Sequence, residues 1–353
     1  MAPKIDRVNN ITNLIVDKML GKVNTIKMRK ASQYMMGSNL TISPEKKLIR
    51  YFKNVLYADL MLNRLLITTK ENMFEIYPIW VNEINSFPTL VSYKQSYPPI
   101  GLPCHTWGEN CSFIIGSGTG TIVLIIDVES SIIIEEIDLY EDEPVKRWST
   151  MGHEVCPYNN NLIAVGCKVG KVPVIDLRTG NIESVMKEKF PDVNSISWSR
   201  FHENIIALTS SFTETLQIWD IRHLRHHYTS IDYPSNVPPN LQFLNHSTLI
   251  SLRDIGVDFI DVFKENISYS LPLDICGGSS KRKQFAFDSL SYPQFLYIPS
   301  SNSLDVYDLA KDSLINSYSS SLFPPEIVLM NEFLQEVYSL APNEVTLWKQ
   351  SFQ

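Results

Sequence analysis

From about residue 50 onward the chain alternates short apolar runs with clusters of turn residues. Leu65-Leu66-Ile67-Thr68, Ser112-Phe113-Ile114-Ile115-Gly116, Leu249-Ile250-Ser251-Leu252 and Gln294-Phe295-Leu296-Tyr297-Ile298 are typical, each bounded by Gly, Ser, Asn or Pro. Runs this short, rich in β-branched and aromatic residues, predict strands rather than helices. The head of the chain follows a different period. Ile5, Val8, Ile11, Ile15 and Met19 recur at three- and four-residue steps, with Leu14 and Val23 widening the stripe. That spacing predicts an amphipathic helix over residues 5–20, broken near Gly21 and resuming through Val23, Ile26 and Met28.

The strand pattern repeats. Leu162–Gly166 followed by Val172–Arg178 has the same design as Ile205–Leu208 followed by Leu216–Arg222, 44 positions later. The closing segment of this unit, a β-branched run that ends on an aromatic residue or Ile and often continues to Asp, recurs along the chain. Its copies end at Tyr77, Ile126, Ile175, Trp219, Ile260, Tyr307 and Trp348, at spacings of 49, 49, 44, 41, 47 and 41. A four-stranded propeller blade has a period of roughly 40–45 residues. The fold class expected is therefore all-β, a seven-bladed β-propeller; a two-sheet sandwich would not require a period held for seven copies. The chain ends five residues after Trp348, so the last blade is expected to take its outer strand from the N-terminal side, from Leu48–Phe52 or Asn39–Ile42, which would hide the sheet edge. The domain reading is a basic helical extension over residues 1–38 and a propeller over 39–353.

The second copy of the unit ends in Trp219-Asp220, and Met151-Gly152-His153 lies 23 positions before Asp176. On these residues the chain resembles a divergent WD-repeat protein over roughly residues 50–353. The resemblance implies that the Gly-His pair precedes the first strand of its blade and that the His joins a hydrogen-bonded staple. Ile175-Asp176-Leu177-Arg178 and Trp219-Asp220-Ile221-Arg222 form a doubled x-Asp-x-Arg box in consecutive blades. This box is similar to that of the substrate receptors of cullin-4 ubiquitin ligases. Within that family residues 162–222 look most like the Cockayne syndrome A type, although Ile175 stands where the family prefers Trp. The resemblance implies that Arg178 and Arg222, held beside Asp176 and Asp220, lie on one face and dock the DDB-type adaptor. It also implies that a preceding helix, here the one carrying Ile5, Val8, Ile11 and Ile15, inserts into the adaptor. The same box also reads as a plain strand end, in which the Asp accepts turn hydrogen bonds and the Arg pairs with a neighbouring blade's carboxylate. The helix likewise reads either as an anchor in a partner's groove or as packing on the propeller floor.

Charge divides the chain. Residues 1–54 hold eleven Lys and Arg against three acids, net +8, which leaves −15 for the remainder of a chain whose formal total is −7. An acidic disc is a poor binder of nucleic acid, and the basic head is the one region through which nucleic acid would be reached. No run of 18 apolar residues exists and no signal-peptide pattern opens the chain, so no membrane contact is expected. The five cysteines are odd in number and scattered, which fits reduced thiols and a nuclear or cytoplasmic location. Cys104, His105 and Cys111 lack a Cys-x-x-Cys pair and a second cluster, so no zinc site is expected. Gly116-Ser117-Gly118-Thr119-Gly120 looks like a phosphate loop, but the Ile122–Ile126 run that follows has strand composition, so the glycines read as a hairpin turn. His223, His226 and His227 have no acidic or thiol co-ligands nearby and read as a basic patch. Nothing converges on catalysis and no cofactor is implied. The expected function is protein binding: a ligase substrate receptor, or a scaffold subunit of a chromatin, ribosome-assembly or transport complex.

Overall fold

The computed structural model describes residues 40–49, 55–61, 64–69, 73–78, 91–94, 104–108, 111–139, 150–168, 171–186, 193, 195–209, 215–233, 240–253, 256–272, 283–288, 293–319, 324–331, 334, 336–341 and 344–352. The helix expected to carry Ile5, Val8, Ile11 and Ile15 lies outside them. Internal contacts divide the chain into residues 45–348 and, separately, residues 1–44 with 349–353.

Among the described residues the elements are strands in seven four-stranded sheets, a seven-bladed β-propeller. The first strand, β1 (Leu40–Ile49), belongs to the last sheet. Blade 1 is β2 (Val55–Met61), β3 (Arg64–Thr69), β4 (Met73–Pro78) and β5 (Val91–Lys94). Blade 2 is β6 (Cys104–Trp107), β7 (Phe113–Thr119), β8 (Ile122–Asp127) and β9 (Ile133–Asp138). Blade 3 is β10 (Thr150–Val155), β11 (Leu162–Cys167), β12 (Val172–Asp176) and β13 (Asn181–Met186). Blade 4 is β14 (Ser195–Trp198), β15 (Ile205–Thr209), β16 (Thr215–Asp220) and β17 (Thr229–Asp232). Blade 5 is β18 (Asn240–Phe243), β19 (Thr248–Arg253), β20 (Gly256–Asp261) and β21 (Asn266–Pro272). Blade 6 is β22 (Ala286–Phe287), β23 (Phe295–Pro299), β24 (Ser303–Asp308) and β25 (Ser313–Ser319). Blade 7 is β26 (Ile327–Asn331), β27 (Glu336–Ala341) and β28 (Glu344–Phe352), in the order β1-β28-β27-β26. The seven recurrent segments of the sequence are the third strands of the seven blades, and the apolar runs before them are the second strands.

The middle strands are apolar on both faces because each blade is covered on both sides by its neighbours, as in any sheet packed between two layers. Period-two alternation divides β3: Leu65 and Ile67 pack with Ile327, Tyr338 and Leu340 of blade 7, while Leu66 packs with Trp107, Ile114 and Leu124 of blade 2. Comparable clusters join blades 2 and 3, 3 and 4, 4 and 5, and 5 and 6. Trp219 is fully buried between blades 3 and 4, with Cys156, Val174 and Trp198. Outer strands carry less apolar load, and β21 and β25 are largely exposed.

Two histidines tie blades together. His105 on β6 is fully buried, and its Nδ1 lies 3.0 Å from Thr68 Oγ1 on β3. Burial alone pushes its pKa down to about 3, so the ring is neutral. His153 on β10 reaches back to blade 2 with both nitrogens, Nδ1 2.7 Å from Ser117 Oγ and Nε2 2.7 Å from Thr106 Oγ1. Gly152 and His153 therefore lie inside the innermost strand of blade 3, not ahead of it, and the bonds of this His run to the preceding blade. The local sequence shows the pair but not its partners, which come from residues 36 and 47 positions away.

The glycine-rich loop of blade 2 is a hairpin turn. Thr119 pairs with Ile122 across Gly120 and Thr121, and Gly120 sits at φ 78°, the conformation a two-residue hairpin requires at its first central residue.

Candidate interaction face

Successive strands pair antiparallel within each blade, so in blades 3 to 5 the turns after the first and third strands emerge on one face. The third strand of blades 2 to 6 ends on Asp: Asp127, Asp176, Asp220, Asp261 and Asp308. Each carboxylate folds over its own turn. Asp127 accepts the Ser130 N–H, Asp261 those of Phe263 and Lys264, and Asp308 those of Ala310 and Lys311. In blades 2, 3, 5 and 6 the fourth residue after the Asp has a left-handed backbone: Ser131, Gly180, Glu265 and Asp312 at φ 56°, 65°, 56° and 53°. The same four blades have a bulge in the fourth strand, where Ile134, Glu183, Ser268 and Ile315 are the extra residues opposite Ile125–Ile126, Val174–Ile175, Phe259–Ile260 and Val306–Tyr307. Blade 4 departs from the rule with a longer excursion over residues 221–228.

The two predicted Asp-Arg boxes sit in these turns and have matched geometry. Asp176 Oδ1 accepts the Arg178 backbone N–H at 2.8 Å and its Nε–H at 3.2 Å, while Nη2 donates to Oδ2 at 2.7 Å. In blade 4 the corresponding distances from Arg222 to Asp220 are 3.0, 3.0 and 2.6 Å. The arginine hydrogen bonds hold both carboxylates below the ordinary aspartate pKa. Each Arg thus pairs with the Asp of its own turn, which corrects the expectation of a partner on the neighbouring blade. An (i, i+2) fork fits where Asp already caps the turn, because the Arg stem starts beside the carboxylate. In both pairs the Arg side chain is 64% exposed, against 8% for Asp176 and 14% for Asp220. Lys264 and Lys311 repeat the arrangement over Asp261 and Asp308 at 3.3 and 3.4 Å.

The turns of blades 3 to 5 are contiguous. Ile221 and Leu224 of the blade 4 excursion pack on the cluster that holds Cys156 of blade 3. Glu203, in the first turn of blade 4, lies within electrostatic reach of both Tyr158 of blade 3 and Arg222. Phe201 packs on the cluster containing Val262 of blade 5, and His246 meets the Phe263 ring at 6.5 Å. His223, His226 and His227 fall in the blade 4 excursion, where His227 stands edge-on to Trp219.

The innermost strands enclose a polar cavity of about 190 Å³. Asp59 and Glu154 line it with Arg200. Asp59 accepts the Leu60 N–H at 2.8 Å and, across the blade junction, the Trp107 N–H at 2.9 Å. Burial raises its pKa, opposed by those two amides and by Arg200. The close Ser117–His153 pair has the look of a nucleophile and base, but both side chains are buried between blades, where no substrate reaches the hydroxyl. Among the described residues no group of three His, Cys, Asp or Glu is placed to hold a metal ion, and Cys104 and Cys111 are buried free thiols.

No protein-family model matches the chain.

Proposed function

We propose that the chain is a non-enzymatic, divergent WD-repeat protein of nucleus or cytoplasm that binds other proteins. In its most specific form it is a substrate receptor that docks on the DDB-type adaptor of a cullin-4 ubiquitin ligase. The observation that supports this is the matched pair of forks. Two adjacent blades each hold a guanidinium in a fixed pose, mostly exposed, over a carboxylate that is mostly covered. A pre-ordered Arg loses less side-chain freedom on docking, and Arg is enriched at interfaces. In this reading Arg178 and Arg222 engage the adaptor, the helix that the sequence predicts over residues 5–20 would add a second contact through Ile5, Val8, Ile11 and Ile15, and the opposite face holds the target.

The test is capture of the purified adaptor by wild type, by the Arg178→Ala/Arg222→Ala double variant and by a chain lacking residues 1–35. Capture by wild type with loss in both variants supports the reading; equal recovery from all three, or none from wild type, overturns it. A second reading, a scaffold subunit of another complex, is favoured by the recurrence of the same turn with Lys264 and Lys311 in blades 5 and 6. That recurrence makes the box a general turn device. In this case affinity purification with mass spectrometry returns a stable complex without the adaptor.

A further inference from the structure

We propose that the turn face of blades 3 to 5 is a binding surface for an acidic protein segment that carries aromatic or aliphatic side chains between its carboxylates. The proposal rests on the reading of this face as partner-facing but not on the adaptor being that partner.

Three large side chains stand out from this sector: Tyr158 at 50%, Tyr228 at 64% and Phe263 at 59% exposure. They come from turns of three successive blades, which are linked by the electrostatic reach of Glu203 to Tyr158 and Arg222 and by the packing of Phe201 on the cluster that holds Val262. A single exposed aromatic is ordinary on a soluble protein. Three on contiguous turns, beside two arginines, have the residue types that dominate binding energy in protein interfaces. Exposed rings gain by burial against aromatic or aliphatic side chains, so a segment that carries such groups between its carboxylates uses both the rings and the arginines.

The second observation is the vertical order of charge. The carboxylates of Asp176, Asp220 and Asp261 point inward and are spent on turn amides, at 8%, 14% and 20% exposure. Arg178, Arg222 and Lys264 above them are 64%, 64% and 74% exposed. An approaching chain meets cations and rings first. Acids are also present: Glu203 and Glu265 lie in the same turns, and Glu183 acts on Arg178. These acids decide the class of partner. A nucleic-acid backbone presents evenly spaced phosphates, some of which would fall opposite these acids. A peptide sets its carboxylates opposite the cations and its apolar residues opposite the rings.

The experiment uses the full chain and three fluorescein-labelled probes: a random glutamate–tyrosine copolymer, polyglutamate, and a single-stranded oligonucleotide of similar charge. Binding is read by anisotropy at low and moderate salt. The copolymer is expected to bind about tenfold or more tightly than polyglutamate, since each anchor of this kind is worth a tenfold step or more. Tyr228→Ser/Phe263→Ser should lose that preference without a shift in melting temperature, because both side chains are exposed. Arg178→Gln/Arg222→Gln should weaken both acidic probes and flatten the salt dependence. Leu314→Ser, on the outer strand of blade 6, should bind as wild type. Equal binding of the two acidic probes, preference for the oligonucleotide, no binding of the copolymer, or a Tyr228→Ser/Phe263→Ser variant that binds as wild type overturns the proposal. If the copolymer fails while the adaptor is captured in an Arg-dependent way, the docking reading stands and this one falls. The converse pair of results removes the adaptor and keeps the surface.

Discussion

At the scale of single residues, much of the polar chemistry of this propeller is committed to its own architecture. His105 is the clearest case. Its ordinary pKa of 6.5 is pushed to about 3 by burial. Between those values the unfolded chain takes up a proton that the folded chain refuses, so stability is full above pH 6.5 and is lost as pH falls. The loss due to His105 is about 2 kcal/mol between pH 6.5 and 5. Urea unfolding over that range should show the slope, and His105→Gln, which can still bond Thr68, should reduce it by about one proton. The capped turns begin to lose stability only at lower pH, because Asp176, Asp220 and Asp261 have lowered pKa values. Asp308 tests the cap itself. Its side chain is 1% exposed and accepts two backbone N–H groups, of Ala310 and Lys311. Asp308→Ala leaves both without that acceptor and should cost about 1–3 kcal/mol in urea unfolding, with Asp308→Asn in between.

At the scale of elements, the turn after the third strand is the unit that recurs, and its rule is conformational. Gly180 holds the left-handed position in blade 3 at no steric cost, whereas Ser131 holds it in blade 2 at a cost of about 1–2 kcal/mol relative to Gly. Gly180→Ala should therefore lower the melting temperature and Ser131→Gly should raise it; two changes of the same sign would show that the turn is not under this constraint. Strands and blade count were legible in the sequence because their signal is carried by neighbours in sequence. Leu65-Leu66-Ile67 is apolar throughout because both faces of β3 are covered, and that is visible in the run itself. The Asp176–Arg178 fork was half legible for the same reason: donor and acceptor are two residues apart, so the pattern showed the pair, but not which carboxylate the Arg would choose. The bonds of His153 were not legible, because Ser117 and Thr106 belong to another blade. Tyr158, Tyr228 and Phe263 were missed as a group for a related reason. Each is an ordinary turn residue in sequence, and only the ring of blades makes them neighbours.

At the scale of the whole ring, closure is the problem that distinguishes a propeller from an open repeat array, in which each unit touches only its neighbours in sequence. The order β1-β28-β27-β26 supplies one device, a strand from the start of the chain beside the last third strand. Gln284 supplies another close to the axis. Just before β22 of blade 6, its N–H donates to Glu326 C=O at 3.2 Å, and its own C=O accepts the Val328 N–H of blade 7 at 2.9 Å. Its side chain then passes on to blade 1, where Oε1 accepts the Ala58 N–H at 3.0 Å and Nε2 donates to Ala58 C=O at 3.2 Å. One residue thus links three blades across 226 positions of sequence. Gln284→Leu keeps the volume and removes both side-chain bonds, leaving the Ala58 amide unpaired. The expected cost is about 2–5 kcal/mol, from two buried polar groups. Hydrogen exchange locates the effect. If Gln284 is a clasp, amides of β2 and β26 should lose protection well before those of β11, β15 and β19 on the far side of the ring. Equal loss throughout would mean that the ring opens as a single cooperative unit and that closure energy is not held at this junction. The same measurement bears on the binding face, because blades 3 to 5 lie away from the junction. A partner seated on their turns should raise protection there without restoring it at β2 and β26 in the Gln284→Leu chain.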